Sequence, residues 1–172
     1  MEPLRYVAVI VLCAVMASAY GIAHDMVTAH ICVEYFTVFH PPVFRTDNPI
    51  LLALGWGIIA SWWVGAILGA PLAIASRAGQ RPKRDVGSLL RPILVLQVVM
   101  GCCALVSGTL AWVAASNGLL VLLGGLGKRI PAEKHAPFFA DLFAHNASYA
   151  SGFLGGLVVV ALVWRSRKRA AF

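Results

Sequence analysis

Two pairs of residues combine an imidazole with a carboxylate at a spacing of four positions. Glu34 follows His30 by four residues, and His145 follows Asp141 by four residues. On a helix this spacing puts both side chains of a pair on the same face. Imidazole nitrogens and carboxylate oxygens are ligands that zinc, iron and manganese take in proteins. Together the pairs predict a two-histidine, two-carboxylate site for a divalent transition metal.

His24 and Asp25 are a third place where the two residue types occur together. His24 is a fifth candidate ligand, and Asp25 is placed to orient a ligating imidazole. The sequence has neither an HExxH motif nor the repeated ExxH motif of di-iron bundles. The alternative that these residues form a plain hydrogen-bond network therefore stays open. No catalytic residue is predicted.

The segment 24–42, which carries the first pair, is compatible with two conformations. As a helix it gathers His30 and Glu34 on one face. As a strand it does the same, since its β-branched and aromatic residues alternate with polar ones. In a third interpretation, His24 and Asp25 only end the first helix, where a histidine complements the helix dipole.

The second pair lies on a predicted helix that begins at Pro137 and runs to Trp164, because proline is favoured at the first helical position. Asp141 and His145 share a face of this helix with a stripe of small residues, Ser148, Gly152 and Gly156. Such stripes let membrane helices approach closely, so Asp141 and His145 are predicted to point into a bundle. A matching stripe, also interpreted as packing, consists of Ser61, Gly65 and Gly69.

The composition decides the class of protein in which these residues lie. Of the 172 residues, 60% are hydrophobic and only 12% are charged, and the mean hydropathy is +0.82. A soluble domain is about half apolar and a quarter charged. The composition therefore excludes soluble globular, disordered and coiled-coil proteins, and it predicts an integral membrane protein.

Four uncharged runs are long enough to cross a bilayer as helices, at approximately 6–23, 50–75, 92–115 and 147–164. They predict an all-α membrane protein of one domain, 1–172, with a four-span transmembrane helix bundle. The outer loops, 24–49 and 116–146, are predicted to form an extracytoplasmic cap. Gln97, a lone polar residue in the third run, is expected to bond a neighbouring helix. Arg5 and the Ala17-Ser18-Ala19 run also match a cleavable signal peptide, but the apolar run continues to Ala23 and favours an uncleaved span.

The basic residues predict the orientation of the spans. Ten of the fourteen Lys and Arg residues lie in the N-terminus, in the loop after the second run and in the C-terminal tail. The positive-inside rule puts both termini in the cytoplasm and all five histidines at the opposite face. The tail, with Arg165, Arg167, Lys168 and Arg169, is expected to reach anionic headgroups. Lipid is thus the expected partner, and nucleic acid is not.

The segment from His24 to Pro42 resembles a stretch of small bacterial multi-pass membrane proteins of unknown role. The shared elements are His24-Asp25, Thr28 and Glu34-Tyr35-Phe36-Thr37. They cover about a tenth of the chain. The resemblance implies a bacterial inner membrane and a distinctive outer loop, and it implies no activity.

Three functions are compatible with these patterns. The first is a non-catalytic accessory component that associates with other membrane proteins or with itself through its small-residue stripes and aromatic loops. The second is a membrane metalloprotein or enzyme with a metal bound by His30, Glu34, Asp141 and His145, beside His24. The third is a transporter or a haem protein in which His24 and His145 clamp the haem. The accessory role is the favoured prediction, because a fold alone does not give a function.

Overall fold

The computed structural model describes residues 2–167, and within this range every regular element is helical. Four helical stretches are long and apolar enough to cross a membrane, with mean hydropathies between 1.7 and 2.2: Glu2–Ile31, Pro49–Arg77, Gly87–Ser116 and Ala132–Ser166. The prediction of an all-helical chain with four membrane-length helices is confirmed. The α-helices are α1 (Glu2–Ile31), α2 (Pro49–Ile59), α3 (Trp62–Arg77), α4 (Leu90–Ser116), α5 (Gly124–Arg129) and α6 (His135–Ser166).

The first helix continues well beyond His24 and Asp25. It ends at Ile31, and a π-helical turn follows over Tyr35–Phe39. The strand interpretation of the segment 24–42 is therefore wrong, and so is the interpretation that His24 and Asp25 end the helix. The extra turns bury Asp25, Thr28 and Ala29 against the rest of the chain. These tertiary contacts outweigh the strand preference of the local residues.

The bundle consists of two helix pairs joined side by side. α1 packs along α2 and α3, α4 packs along α6, and α3 contacts α6 between the pairs. α4 also reaches α1 through Gln97, whose Nε2 donates to the Met16 carbonyl at 2.7 Å. The expectation that Gln97 bonds a neighbouring helix is confirmed.

The small-residue stripes lie at contacts inside the bundle. A Cβ atom added to Gly69 would lie 3.0 Å from the Cα atom of Ile10, and one added to Gly156 would lie 3.1 Å from the Leu68 side chain. Such contacts are tighter than ordinary van der Waals distances. The interpretation of both stripes as packing surfaces is confirmed. The helices that pack against them belong to the same chain.

A tight helix crossing joins α1 to the last turn of α2 and to the bend that follows it, at Ala60–Ser61. A Cβ atom on Gly57 would lie 2.6 Å from the Cα atom of Ile22, and one on Gly21 would overlap the Ser61 side chain. Glycine is required here because the two backbones touch. The crossing fixes α1 one turn before His24.

One end of the bundle, called here the histidine end, carries His24 and His145 and is covered by an apolar cluster. Tyr35 and Phe36 come from the segment after α1, Ile130 comes from the segment before α6, and all three pack with Phe138 of α6. Both connecting segments thus contribute to one cluster over the predicted site.

The opposite end, called here the arginine end, is held by Arg167. Its side chain is 1% exposed. The guanidinium donates four hydrogen bonds of 2.7 to 3.0 Å, to the carbonyl oxygens of Ala75, Ala78, Arg81 and Pro82. The expectation that the tail reaches headgroups is therefore wrong for Arg167, because the carbonyls at the end of α3 take up its donors. Arg165 is exposed, while Lys168 and Arg169 lie outside the described residues.

Candidate metal site

His145 lies between two acceptors at the histidine end. Its Nδ1 is 2.8 Å from the carbonyl oxygen of Asp141, and its Nε2 is 3.2 Å from Oδ1 of Asp25. A backbone carbonyl only accepts, so Nδ1 carries a hydrogen and donates it. In a neutral ring the lone pair is then on Nε2 and faces a carboxylate oxygen. Attraction between these two atoms requires a proton or a metal cation between them.

His24 completes a group of three. Its Nε2 is buried and has no hydrogen-bond partner among the described residues. Its ring meets the His145 ring edge to face, with the centroids 4.5 Å apart. Each of His24, Asp25 and His145 has one possible ligand atom that lies within 4.8 Å of those of the other two. This spacing allows one ion to bridge all three.

Two helices position these ligands. The Gly57 crossing fixes α1, which brings His24 and Asp25 as sequence neighbours, and α6 brings His145 on the face that Asp141 and Ser148 share. The hydroxyl groups of Tyr20 and Ser148 lie 2.8 Å apart and tie α1 to α6 below the cluster. The side chains of Asp25 and His145 are 7% and 8% exposed. The group is therefore held on rigid elements and shielded from solvent, which favours a defined coordination geometry.

Aromatic rings cover the group on the side of the connecting segments. The Tyr35 ring stacks on His145 with the centroids 4.4 Å apart, and Phe36 meets the same ring at 5.8 Å. Burial raises the pKa of Tyr35, and the nearby acidic groups Tyr149, Asp141 and Asp25 raise it further. Burial also raises the pKa of the Cys32 thiol to about 12, and the carboxyl groups of Asp141 and Glu34 contribute in the same direction. The surroundings of the site thus disfavour additional negative charge.

The Cys32 thiol is expected to resist alkylation in the folded protein. With a pKa of about 12, its thiolate fraction at pH 8 is about a thousandfold lower than that of an ordinary thiol. Burial of the side chain slows the reaction further. Iodoacetamide labelling followed by peptide mass spectrometry checks this, with SDS-unfolded protein as the control in which Cys32 reacts fully. Rapid labelling of Cys32 at pH 8 without unfolding would contradict it.

The five ligands predicted from the sequence divide into two groups. His24 and His145 lie in the three-residue group. His30 is exposed, and its Nδ1 lies 2.7 Å from the Met26 carbonyl. Glu34 is half-buried and accepts from the Cys32 thiol at 3.4 Å. Asp25, predicted only to orient a ligating imidazole, directly contacts His145, which lies 120 positions later in the chain.

Asp141 is buried as predicted, but it lies outside the three-residue group. It is 0% exposed, and neither of its carboxylate oxygens has a hydrogen-bond partner among residues 2–167. Its carbonyl still supports the site by fixing the tautomer of His145. A buried carboxylate without a partner lowers the stability of the fold.

The arrangement does not favour the haem clamp. His24 and His145 are in direct ring contact at 4.5 Å, so the two imidazoles leave no room for a porphyrin plane between them. A single ion needs far less space than a macrocycle, and one ligand atom of each ring lies within 4.8 Å of one from the other.

Comparisons of the chain with protein-family models, with curated proteins and with solved structures find no match. Function is therefore inferred from the geometry at the histidine end.

Proposed function

We propose that this protein is an integral membrane metalloprotein that holds one divalent transition metal ion between α1 and α6. The ligands are His24 Nε2, His145 Nε2 and the carboxylate of Asp25. The observation that carries the proposal is the convergence of these three groups within 4.8 Å, with His24 Nε2 buried and unpartnered.

A metal ion satisfies this group better than hydrogen bonds do. Once Nδ1 of His145 donates to the Asp141 carbonyl, the three remaining atoms can all be acceptors, and one cation serves them together. Donation of the other ring hydrogen to a carbonyl is also the usual way in which a ligating histidine is oriented. Two nitrogens and one oxygen suit zinc, iron(II) or manganese, and they leave a coordination position for water or a substrate.

We further propose that the histidine end is the extracytoplasmic end, so that both termini are cytoplasmic. The bias of Lys and Arg toward the termini and the loop after the second span supports this orientation. The resemblance of the His24–Thr37 segment to bacterial multi-pass proteins supports a bacterial inner membrane. The two segments that share the apolar cluster over the site would then be the predicted outer cap.

Elemental analysis of the protein in nanodiscs, after zinc loading and removal of free zinc, tests the proposal. We expect about one zinc ion per chain in the wild type. His24→Ala and His145→Ala are each expected to weaken binding by roughly a hundredfold or more, because three protein ligands become two. Both variants should then lose zinc during the wash.

His30→Ala is the matched control, since His30 is exposed on the same helix as His24. It separates the proposed ligand set from the set of His30, Glu34, Asp141 and His145 predicted from the sequence. Retention of zinc in His30→Ala supports the proposal. Loss of zinc in His30→Ala with retention in His24→Ala would contradict it and favour the other set, and a wild type without zinc would exclude both.

A role as a non-catalytic accessory component is the second candidate. The observation in its favour is the mostly apolar outward surface of α4, where Val98, Leu105 and Leu110 are each at least 65% exposed. Such a surface can contact another membrane protein as readily as lipid. Stable co-purification of a second membrane protein, together with absence of zinc binding, would favour this role. Transport remains a prediction of the sequence, but its main midplane polar group, Gln97, is engaged by the Met16 carbonyl.

A further inference from the structure

The segment that follows α3 is tied to three helices at the arginine end. This segment, residues 78–85, is called here the basic loop. Arg167 donates to three of its carbonyl oxygens, at 2.7 to 3.0 Å. The carboxylate of Glu2 pairs with Arg77 at 2.7 Å and with Lys83 at 3.2 Å. These contacts join the backbone of the loop to α1, to α3 and to the end of α6.

Two guanidinium groups of the basic loop form no ion pair within the described part of the chain. Arg81 lies over the ring of Trp164, 4.7 Å from its centroid, and donates one long hydrogen bond of 3.4 Å to the Trp164 carbonyl. The Nε atom of Arg84 is sealed from solvent, but its two terminal nitrogens are not, and they have no partner among the described residues. Both side chains are half-buried, so their stems pack on the protein while their charged ends reach the surface.

The arginine end carries a surplus of positive charge. Within the described chain it has eight basic residues and two acids. The basic residues are Arg5, Arg77, Arg81, Lys83, Arg84, Arg91, Arg165 and Arg167, and the acids are Glu2 and Asp85. This charge attracts a phosphate group and repels the ammonium group of a zwitterionic lipid.

The surroundings of the basic loop match those of a lipid head group. α1, α3 and α6, whose ends meet here, belong to membrane-length helices. Their outward side chains near this end are apolar, since Leu4, Ile74 and Leu162 are 72%, 56% and 59% exposed. Trp164 is 40% exposed and is of the residue type that is enriched at the bilayer interface. A phospholipid complements both the cationic and the apolar surface, whereas a soluble anion or a nucleic acid complements only the charge.

We propose that the basic loop binds the head group of one anionic phospholipid, and that Arg81 and Arg84 donate hydrogen bonds to its phosphate. The planar guanidinium presents paired N–H groups that match the oxygens of a phosphate. The two residues are three positions apart, so their Cα atoms are at most about 11 Å apart and both long side chains can reach one phosphate. The head-group contact that the sequence predicts for the C-terminal tail is thereby assigned to the loop between α3 and α4.

Native mass spectrometry of the detergent-solubilised protein, titrated with phosphatidylglycerol or with phosphatidylcholine, tests the proposal. We expect one phosphatidylglycerol to bind per chain, at least tenfold more tightly than phosphatidylcholine. Arg81→Gln and Arg84→Gln are each expected to weaken the binding of phosphatidylglycerol roughly tenfold, because each removes charge-assisted hydrogen bonds to the phosphate. Equal binding of the two lipids by the wild type would overturn the proposal without any variant.

Arg91→Gln is the matched control, because Arg91 is exposed at the same end but lies in α4, outside the basic loop. It removes the same charge and is expected to leave the binding of phosphatidylglycerol unchanged. If Arg91→Gln weakened binding as much as Arg84→Gln, general attraction to a basic face would replace the proposed site. Displacement of the lipid by excess inorganic phosphate or by a single-stranded oligonucleotide would also overturn the proposal. The same results should be obtained after EDTA treatment, which separates this outcome from that of the metal proposal.

Discussion

Replacing Arg167 by alanine is expected to lower the free energy of unfolding by about 3 kcal/mol. Arg167 is 1% exposed, and its guanidinium donates to four carbonyl oxygens at the end of α3 and in the following segment. Two of these carbonyls, of Ala75 and Ala78, lie where a helix leaves its last acceptors unpaired. The variant loses charge-assisted hydrogen bonds and leaves buried carbonyl oxygens without donors. Leaving one partner buried and unsatisfied lowers stability more than removing both partners does.

SDS titration of the protein in mixed micelles, followed by circular dichroism, measures this effect. Arg165→Ala is the matched control, because Arg165 is two residues away and exposed, and its expected change is within about 0.5 kcal/mol. Arg167→Lys should recover only part of the loss, since an ammonium group cannot reproduce the planar fork of donors. Equal stability of Arg167→Ala and Arg165→Ala would contradict the role given to Arg167.

Replacing Gly57 by alanine is expected to destabilise the protein by about 2–3 kcal/mol. The added Cβ atom would lie 2.6 Å from Ile22 Cα, a backbone atom that can move only with α1 as a whole. His24 and Asp25 follow Ile22 by two and three residues. The displacement should therefore also weaken zinc binding, although Gly57 is not a ligand.

Gly101→Ala is the control for this substitution. Gly101 lies within α4, and a Cβ atom there meets no other atom within 4 Å. The same chemical change is expected to leave zinc binding intact and to alter stability by at most about 1 kcal/mol, in the stabilising direction. If Gly57→Ala were as stable as the wild type and kept its zinc, the close crossing of α1 and α2 would not position the site.

The elements that could be predicted from the sequence are those with local signals. Pro137 predicted the start of α6 to within two residues, and spacings of four and three residues put Asp141, His145 and Ser148 on its buried face. The small-residue stripe of Gly65 and Gly69 likewise indicated a helix contact, since small residues repeat where membrane helices touch. Periodicity and residue size suffice for such features.

The parts that the sequence did not reveal depend on contacts between distant residues. Asp25 and His145 are 120 positions apart. No local sequence pattern predicts which carboxylate a given histidine contacts. Arg167 lies in a basic tail that resembles a lipid-binding segment, yet its acceptors are carbonyls more than 80 residues earlier. The length of α1 was underestimated because polar residues at 24 and 25 usually end a span, whereas here tertiary contacts bury Asp25.

X-ray absorption spectroscopy at the zinc edge, on the zinc-loaded protein in nanodiscs, identifies the ligands of the bound ion. We expect two imidazole nitrogens at about 2.0 Å and oxygen ligands at about 2.0–2.2 Å, without sulfur. In any zinc that His145→Ala retains at saturating zinc, the imidazole count should fall to one. A sulfur shell at about 2.3 Å, or a spectrum unchanged by His145→Ala, would contradict a metal site formed by His24, Asp25 and His145.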